Sequence, residues 1–387
     1  MATRHRSVRR HRWSWRFRSP PSQRSHSACC RESRCTSVIS PPLPVASAAD
    51  ALRAEISASG GAIPFRRFME LSLYGDGGFY SGVGSAGRRG DFITSPEVGP
   101  LFGTVLARAL DSWWMELGSP EDFTVVEAAA GPGTLARAIL AAKPECLRVG
   151  RYVAVEVSAT QRARHPEGIE SRATMPDQPV TGVVLANELL DNLPFDLAVF
   201  DAGWREAWVA TNGDRFVEVL RPFVETPSIL PVSAPHGARA PIQRVARDWL
   251  RDALGLVDRG RILIFDYCTP LTLTAVTSSW REWLRTYAQH ERGGHYLANP
   301  GEQDITTQVM LDQLDTVAEP ESLRTQAQFL QLWGIDELVE EGRVAWEAAA
   351  ARPDLGAMRM RSRISEAAAL LDPTGLGGFS ALTYRID

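Results

Sequence analysis

Short runs of apolar and β-branched residues alternate along the chain with stretches whose apolar residues recur at helical spacing. The runs that predict buried strands are 124–126, 152–157, 181–186, 261–267 and 379–386. Residues 135–140 and 243–254 instead show the periodicity of amphipathic helices. Because strands that alternate with helices build sheets covered on both faces, the pattern predicts an α/β fold with a doubly wound, mostly parallel, Rossmann-like sheet.

Three further regions surround this predicted sheet. Helical patterns at 48–59, 64–73 and 97–117 predict an N-terminal helical cap over 48–117, and three short strands predict a β-meander inserted at 195–223. A lid and accessory helical region is predicted over 286–371, with a glycine-rich loop at 293–304 and helices at 280–287, 306–314, 322–332 and 337–371. We expect residues 46–387 to form one domain.

Residues 1–45 have a different composition, with ten arginines, one acidic residue and few aliphatic side chains. Such a segment cannot build a core, so we predict a disordered basic tail. Arginine- and serine-rich, acid-poor tails are typical of organelle transit peptides, but a start codon placed too far upstream explains the tail as well, and Trp13, Trp15 and the Cys29-Cys30 pair favour that alternative. We therefore predict a bacterial cytoplasmic protein, with a mitochondrial or plastid location only if the tail is a genuine transit peptide.

Charge and composition limit the classes of molecule that the protein is expected to bind. The chain carries a net charge of −4 although its tail is strongly basic, so the remainder is acidic, which disfavours nucleic acid and favours a basic substrate. No apolar run approaches the roughly twenty residues that a membrane span needs. None of the five cysteines is paired at metal-ligand spacing, so we predict no metal site. The sequence leaves a homodimer open.

The most informative stretch is the strand–turn–helix at 124–140, where Glu127 ends the strand and small residues form the turn. Gly131, Gly133 and Ala136 fit the dinucleotide fingerprint. However, Pro132 lacks an N–H group that could bind phosphate, and Glu127 would repel a pyrophosphate while attracting an amine. S-adenosylmethionine (SAM) has an amine, a sulfonium and no phosphate, and the pattern Glu-x-Ala-x-Gly-x-Gly resembles motif I of the class I SAM-dependent methyltransferases.

Other polar residues are placed to complete a SAM site. Glu156 ends the next strand at the spacing typical of an acid that binds ribose hydroxyls. Thr94, Ser95 and Glu97 surround the start of a predicted helix, where they either only cap the helix or also bind the cofactor. We predict Glu127, Gly131, Gly133 and Glu156 as cofactor-binding residues, together with Thr94, Ser95, Glu97 and Asn187.

Several stretches taken together resemble one family. They include Gly90-Asp91-Phe92-Ile93-Thr94-Ser95-Pro96-Glu97, the turn at 127–135, and Asn187-Glu188-Leu189-Leu190-Asp191-Asn192-Leu193-Pro194. With these stretches the chain resembles the MidA-like methyltransferases over residues 50–387. The resemblance implies a class I methyltransferase sheet, SAM as cofactor, and a protein substrate with an accessible arginine. It also implies a role in assembling a partner complex, with a respiratory-complex subunit as one such substrate.

The chain departs from the family pattern at a few positions. Ala129 stands where the family usually has glycine, Pro132 where it has arginine, and Cys268 where it has glycine. Gln308 and Met310 stand where the family often has histidine and aspartate. If those two side chains position the substrate, the acceptor or the activity of this protein differs.

Arginine methylation sets a clear chemical requirement, because a guanidinium is a poor nucleophile with a pKa above about 12. Carboxylates can grip it bidentately and draw charge away from the attacking nitrogen. We predict that Glu188 and Asp191 form this clamp, with Asp266, His290 and Asp304 as weaker candidates. The alternatives are methylation of a small molecule and a SAM-binding assembly factor without catalysis. A nicotinamide oxidoreductase is the remaining rival for this fold, and Pro132 and Glu127 count against it.

Overall fold

A computed structural model describes residues 47–81, 94–288 and 291–387. The predicted disorder of residues 1–45 and the candidate His290 lie outside these ranges. No helix within the described ranges is both long enough and apolar enough to cross a membrane.

The helices are distributed along the whole described chain. They are α1 (Ala48–Ala58), α2 (Phe65–Tyr74), α3 (Ser95–Val98), α4 (Pro100–Glu116), α5 (Thr134–Ala142), α6 (Cys146–Val149), α7 (Ala159–Arg162), α8 (Arg244–Leu256), α9 (Thr272–Thr277), α10 (Trp280–Trp283), α11 (Leu311–Leu314), α12 (Gln326–Leu332), α13 (Ile335–Ala349) and α14 (Leu355–Leu370).

Within the described ranges, the strands form one large sheet and three smaller ones. They are β1 (Ala62–Pro64), β2 (Thr124–Ala128), β3 (Arg151–Val155), β4 (Glu170–Arg172), β5 (Val180–Asn187), β6 (Asp196–Phe200), β7 (Trp204–Asn212), β8 (Arg215–Pro222), β9 (Arg239–Ile242), β10 (Val257–Asp266), β11 (Cys268–Thr269), β12 (Leu284–Ala288), β13 (Glu291–Arg292), β14 (Asp304–Thr307), β15 (Val309–Met310), β16 (Ser322–Thr325) and β17 (Ser380–Ile386).

The central sheet has seven strands in the order β4-β3-β2-β5-β10-β17-β16. The first five are parallel, and β17 runs antiparallel between β10 and β16. The registers place the carboxyl ends of β2, β5 and β10 at the same edge, because Ala128 pairs with Ala186 and Asn187 with Phe265. Ligands bind at this edge in open α/β sheets.

Helices cover both faces of the central sheet, as a doubly wound fold requires. Successive residues of each strand alternate between two apolar clusters: Val183 and Leu185 pack toward the side with α4, α5 and α12–α14, whereas Val184 and Ala186 pack toward the side with α8. The predicted α/β class with a mostly parallel sheet is therefore confirmed. The predicted meander forms as β6, β7 and β8, and β1 and β9 extend its sheet.

Three of the predicted helices are interrupted. The helix predicted over 97–117 is split into α3 and α4 at Gly99, because Pro100 disfavours helical backbone at the preceding residue. The stretch 337–371 forms α13 and α14, separated around Pro353, after which the Asp354 carboxylate caps α14 by accepting the Ala357 N–H at 2.7 Å. Residues 322–325 form a strand that pairs with β17, so only the second half of 322–332 is helical.

Two other predicted helices, over 280–287 and 306–314, are confirmed only in part, as α10 and α11. Residues 284–288 and 304–307 form β12 and β14, which pair antiparallel in a small sheet beside the central one. Leu284 and Thr286 are buried while Arg285 between them is not, which is the alternation of a strand. Pairing between these distant segments therefore decided their conformation, and it brings Asp304 and Thr306 to the edge where ligands bind.

Candidate functional site

A pocket of about 240 Å³ lies over the carboxyl ends of β2 and β5. The glycine turn forms one wall, the 187–192 segment forms another, and β12 and β14 close the far side. Among the described lining residues, five are acidic and Arg285 is the basic one, so the pocket favours a cation. The acidic residues are Glu97, Glu127, Glu188, Asp191 and Asp304.

The glycine turn has an unusual backbone, because Ala129, Gly131 and Gly133 all have positive φ, at 55°, 52° and 76°. Gly131 lines the pocket, and a Cβ built on it meets no atom within 4 Å. The turn therefore leaves room for a ligand to approach the backbone there. A Cβ at Gly133 would instead lie 2.9 Å from Pro166 Cδ, so this glycine is needed for packing.

Glu127 lies in the pocket wall although its side chain is almost fully buried. The Tyr152 hydroxyl donates to Glu127 Oε2 at 2.7 Å. Burial raises the pKa of Glu127 to about 8, and the Tyr152 hydrogen bond only partly offsets this. A buried carboxylate of this kind gains most from a cationic partner, such as the amine of SAM.

Glu156 stabilises the glycine turn through a hydrogen bond to its backbone. Its Oε2 accepts the Gly131 N–H at 3.0 Å, and its Oε1 accepts the Ser158 N–H at 2.8 Å. Glu156 is not among the described residues that line the pocket. Contact with a ribose through the remaining lone pairs of this carboxylate stays a prediction.

Of the three predicted cofactor-binding residues at the start of α3, two line the pocket and one does not. Thr94 and Glu97 line it and form a capping box with each other. The Ser95 side chain is fully buried and donates to Gln326 Oε1 at 2.8 Å, so its hydroxyl points away from the pocket. The prediction that the Ser95 side chain binds the cofactor is not supported by this geometry.

Glu188 follows β5 directly and has a φ of 50°, a strained conformation for a residue with a side chain. Asn187 Nδ2 donates to its Oε1 at 2.9 Å, and the Tyr267 hydroxyl lies 3.5 Å from its Oε2. Burial, and then the neighbouring Asp191 carboxylate, raise the pKa of Glu188 to about 8. Glu188 therefore lines the pocket with neutral hydrogen-bond donors beside its carboxyl group and no ion pair to a described residue.

Asp191 lies one turn further along in the same wall and is 4% exposed. Its Oδ2 accepts the Thr306 hydroxyl at 2.7 Å, but its buried Oδ1 has no hydrogen-bond partner among the described residues. Asn187 Oδ1, in the same wall, is buried and unpartnered in the same way. Burial, with Asp266 and Asp304 nearby, holds the pKa of Asp191 well above its usual range. Two buried acceptors without donors indicate that the pocket receives a donor-rich ligand.

Asp266 lies behind the pocket rather than in its lining. It is fully buried, and it accepts the backbone N–H groups of Leu190 at 2.8 Å and Tyr267 at 2.9 Å. Burial raises its pKa to about 7, although these backbone donors oppose the shift. The prediction that Asp266 is catalytic is therefore corrected, since the geometry makes it a positioning residue for the turn that carries Asp191.

The structure adds residues that the sequence did not single out strongly. Asp304, a weaker candidate, lines the pocket, where its Oδ2 accepts the Tyr80 hydroxyl at 3.0 Å and its Oδ1 accepts Asn192 Nδ2 at 3.0 Å. Nothing in the local sequence assigns a role to Tyr80, and only β14 pairing brings Thr306 to Asp191. Of the two departures from the family pattern, Gln308 lines the pocket, whereas Met310 is buried in an apolar core.

Comparison with known proteins gives the family. The sequence profile of a family described as "Putative S-adenosyl-L-methionine-dependent methyltransferase" matches residues 105–328, more than half of the chain. The chain belongs to this methyltransferase family. The MidA-like resemblance is thereby confirmed, and SAM is the cofactor of this methyltransferase.

Individual relatives agree with the family. The chain is 29% identical over 318 residues to the "Protein arginine methyltransferase NDUFAF7 homolog, mitochondrial" of Drosophila melanogaster, covering 70% of each chain. It is 26% identical over 306 residues to the Homo sapiens "Protein arginine methyltransferase NDUFAF7, mitochondrial", covering 67% of each. A crystal structure of a "likely methyl transferase" from Burkholderia thailandensis bound to S-adenosyl-homocysteine superimposes with a TM-score of 0.75 and 28% identity, covering 88% of this chain and 92% of that one.

The residues of the methyltransferase pocket fit SAM. Gly131 offers an open backbone approach, and Glu127 is a buried carboxylate that lacks a cationic partner among its described hydrogen bonds. The acidic lining suits a ligand that carries both an ammonium and a sulfonium. SAM therefore fits the chemistry of the site independently of the comparisons.

Proposed function

We propose that this methyltransferase transfers methyl groups to an arginine of a protein substrate. The observation that carries the proposal is the buried, unpartnered Oδ1 of Asp191, which lies in the same acidic wall as Glu188. A guanidinium presents five N–H donors in a planar fork, and carboxylates bind it bidentately. The names of the Drosophila and human relatives, both arginine methyltransferases, support the same acceptor.

In the proposed reaction, the chain contributes positioning and charge. Bound SAM supplies an electrophilic methyl group on a sulfonium. Glu188 and Asp191 hold the guanidinium, orient one nitrogen and attract the positive charge to the other side of the group. Methylation leaves the substituted nitrogen with one proton too many, and the Glu188 carboxylate, with its pKa raised to about 8, can accept that proton.

The two competing functions, small-molecule methylation and SAM binding without catalysis, require different residues of the pocket. A small-molecule acceptor does not require a donor-rich cation opposite Asp191, and a non-catalytic factor needs only the turn at Gly131 and Glu127. Gln308 lines the pocket with its Oε1 accepting the Thr269 hydroxyl. Its carboxamide is therefore oriented by the protein, and the loss of a histidine there does not remove the Glu188–Asp191 pair.

The proposal is tested with Glu188→Gln and Asp191→Asn, which remove charge with little change in volume. With radiolabelled SAM and cell lysate, each variant should transfer label to protein about tenfold to a thousandfold more slowly, while SAM affinity changes little. The double variant should lose less than the product of the two, because both groups grip one guanidinium. The exposed Glu145→Gln is the matched control and should behave as the unmodified protein.

Two results would contradict the proposal. Label found in a small molecule and not in protein would assign a different acceptor. A loss of SAM binding in Glu188→Gln equal to its loss of transfer would make Glu188 a cofactor ligand instead of part of the clamp.

The partner of the reaction is a further part of the proposal. From the family resemblance we propose that the methylated protein is a subunit of a larger assembly, with a respiratory-complex subunit as one instance. Both named relatives carry the word mitochondrial in their names, which supports that location as the alternative to the cytoplasm. The homodimer stays a prediction.

A further inference from the structure

We infer that His165 is a positioning residue for the cofactor, which fixes the glycine turn by holding the backbone carbonyl of Gly131. His165 Nε2 lies 2.9 Å from Gly131 O, and Nδ1 lies 2.8 Å from the Ser171 hydroxyl. The inference concerns SAM binding and does not depend on the proposed arginine acceptor.

The turn needs external support because its backbone is strained. Ala129, Gly131 and Gly133 all have positive φ, which glycine adopts readily but which is unfavourable for the alanine. Within the turn, the Gly133 N–H donates to Ala130 O at 2.8 Å, and from outside it Val155 O of β3 accepts the Ala130 N–H at 3.0 Å, but neither bond involves Gly131. Contacts from outside the turn must therefore hold Gly131.

Both backbone polar groups of Gly131 form hydrogen bonds with side chains from outside the turn. Its N–H donates to Glu156, and its carbonyl receives His165. A carbonyl oxygen only accepts, so Nε2 of His165 carries the hydrogen, and in the neutral ring Nδ1 accepts the Ser171 hydroxyl hydrogen. Both ring nitrogens are thus used, and the second contact orients the first, as a partner on the far nitrogen does for other functional histidines.

The segment that carries His165 is itself packed against the turn. A Cβ on Gly133 would approach Pro166 Cδ to 2.9 Å and His165 Cδ2 to 3.3 Å. Arg137, on the helix that follows the turn, donates to the carbonyl of Arg164 at 3.0 Å. Gly131 lines the pocket but His165 is not among its described lining residues, so His165 acts through Gly131.

The test compares substitutions that keep or remove the donor to Gly131. In His165→Gln the side-chain amide can replace the Nε2 donor, whereas His165→Asn is too short and His165→Phe has no donor. We expect calorimetry to show SAM affinity about tenfold weaker in His165→Phe and His165→Asn, and within about threefold of the unmodified protein in His165→Gln. Ser171→Ala should weaken SAM binding by about threefold or less, and the exposed His236→Phe, a matched control, should not change it.

Kinetics separate positioning from a general loss of structure. The KM for SAM should rise in His165→Phe while kcat at saturating SAM stays within about twofold. Unchanged SAM affinity in His165→Phe and His165→Asn, with or without a lower melting temperature, would overturn the inference. A His165→Gln variant that binds SAM as weakly as His165→Asn would also overturn the inference. This comparison can be made even if His165→Phe does not fold.

Discussion

The charge state of Glu127 leads to a prediction that can be worked out in magnitude. Burial raises the pKa of this carboxyl from its ordinary 4.5 to about 8, so in the free protein at pH 6.5 it is mostly protonated. If the amine of SAM binds there as a cation, Glu127 must ionise on binding and release its proton. We therefore expect SAM binding at pH 6.5 to release about one proton that Glu127→Gln does not release.

The same pKa fixes how affinity and stability change with pH. SAM affinity of the unmodified protein should rise about tenfold from pH 6 to pH 7, since each SAM bound displaces one proton, whereas the dependence in Glu127→Gln should be weaker. Because the folded pKa is raised, the contribution of Glu127 to stability is complete below pH 4.5 and is lost as pH rises through about 8. That loss is at most about 4–5 kcal/mol, and Glu127→Gln should avoid it.

Calorimetry in two buffers of different ionisation enthalpy measures the released protons directly, and urea denaturation from pH 5 to 9 measures the stability. The amide of Glu127→Gln keeps an acceptor for the Tyr152 hydroxyl, so the variant should fold. Glu145→Gln is the control for removing an exposed carboxylate. Equal proton release by the unmodified protein and Glu127→Gln would refute the assignment of Glu127 to the amine.

Three other substitutions test the turns that carry the site. Ala129→Gly should raise the free energy of unfolding by about 0.5–1 kcal/mol in urea denaturation, because glycine relieves the strain at φ 55°; a loss would show that Ala129 is not strained. Gly131→Val should abolish SAM binding in calorimetry, whereas Gly118→Val, also at positive φ with open space around it, should not. Asp266→Asn should cost about 2 kcal/mol of stability by weakening the backbone contacts at Leu190 and Tyr267, and unchanged urea denaturation would contradict its positioning role.

Much of the site could be predicted from the sequence because the carboxyl ends of parallel strands meet at one edge. Glu127 and Glu188 are far apart in the chain, but each ends a strong β-branched run, and β2 pairs with β5. The strand pattern therefore placed both residues at the same edge of the sheet, and the pairing of β2 with β5 makes their strands neighbours. The small residues of the glycine turn likewise indicated close approach of a ligand to the backbone.

The remaining features depend on tertiary contacts that leave little trace in local sequence. The helix predictions fail at residues 284–287 and 306–307 because each segment is short, and only the pairing of β12 with β14 makes them strands. The direction of the Ser95 hydroxyl is set by Gln326, which lies 231 residues away. Likewise, the local sequence around an acidic residue at a strand end, such as Asp266, does not distinguish a residue that faces a ligand from one that accepts backbone N–H groups.

The identity of the methylated residue tests the proposed function most directly. Protein labelled by the enzyme with radioactive SAM would be hydrolysed completely to amino acids, and the labelled amino acid would be identified by chromatography and mass spectrometry. We predict methylated arginine, with the label strongly reduced when Glu188→Gln replaces the unmodified enzyme. Label in methyl-lysine, in a carboxyl methyl ester or only in small molecules would contradict the proposed guanidinium clamp.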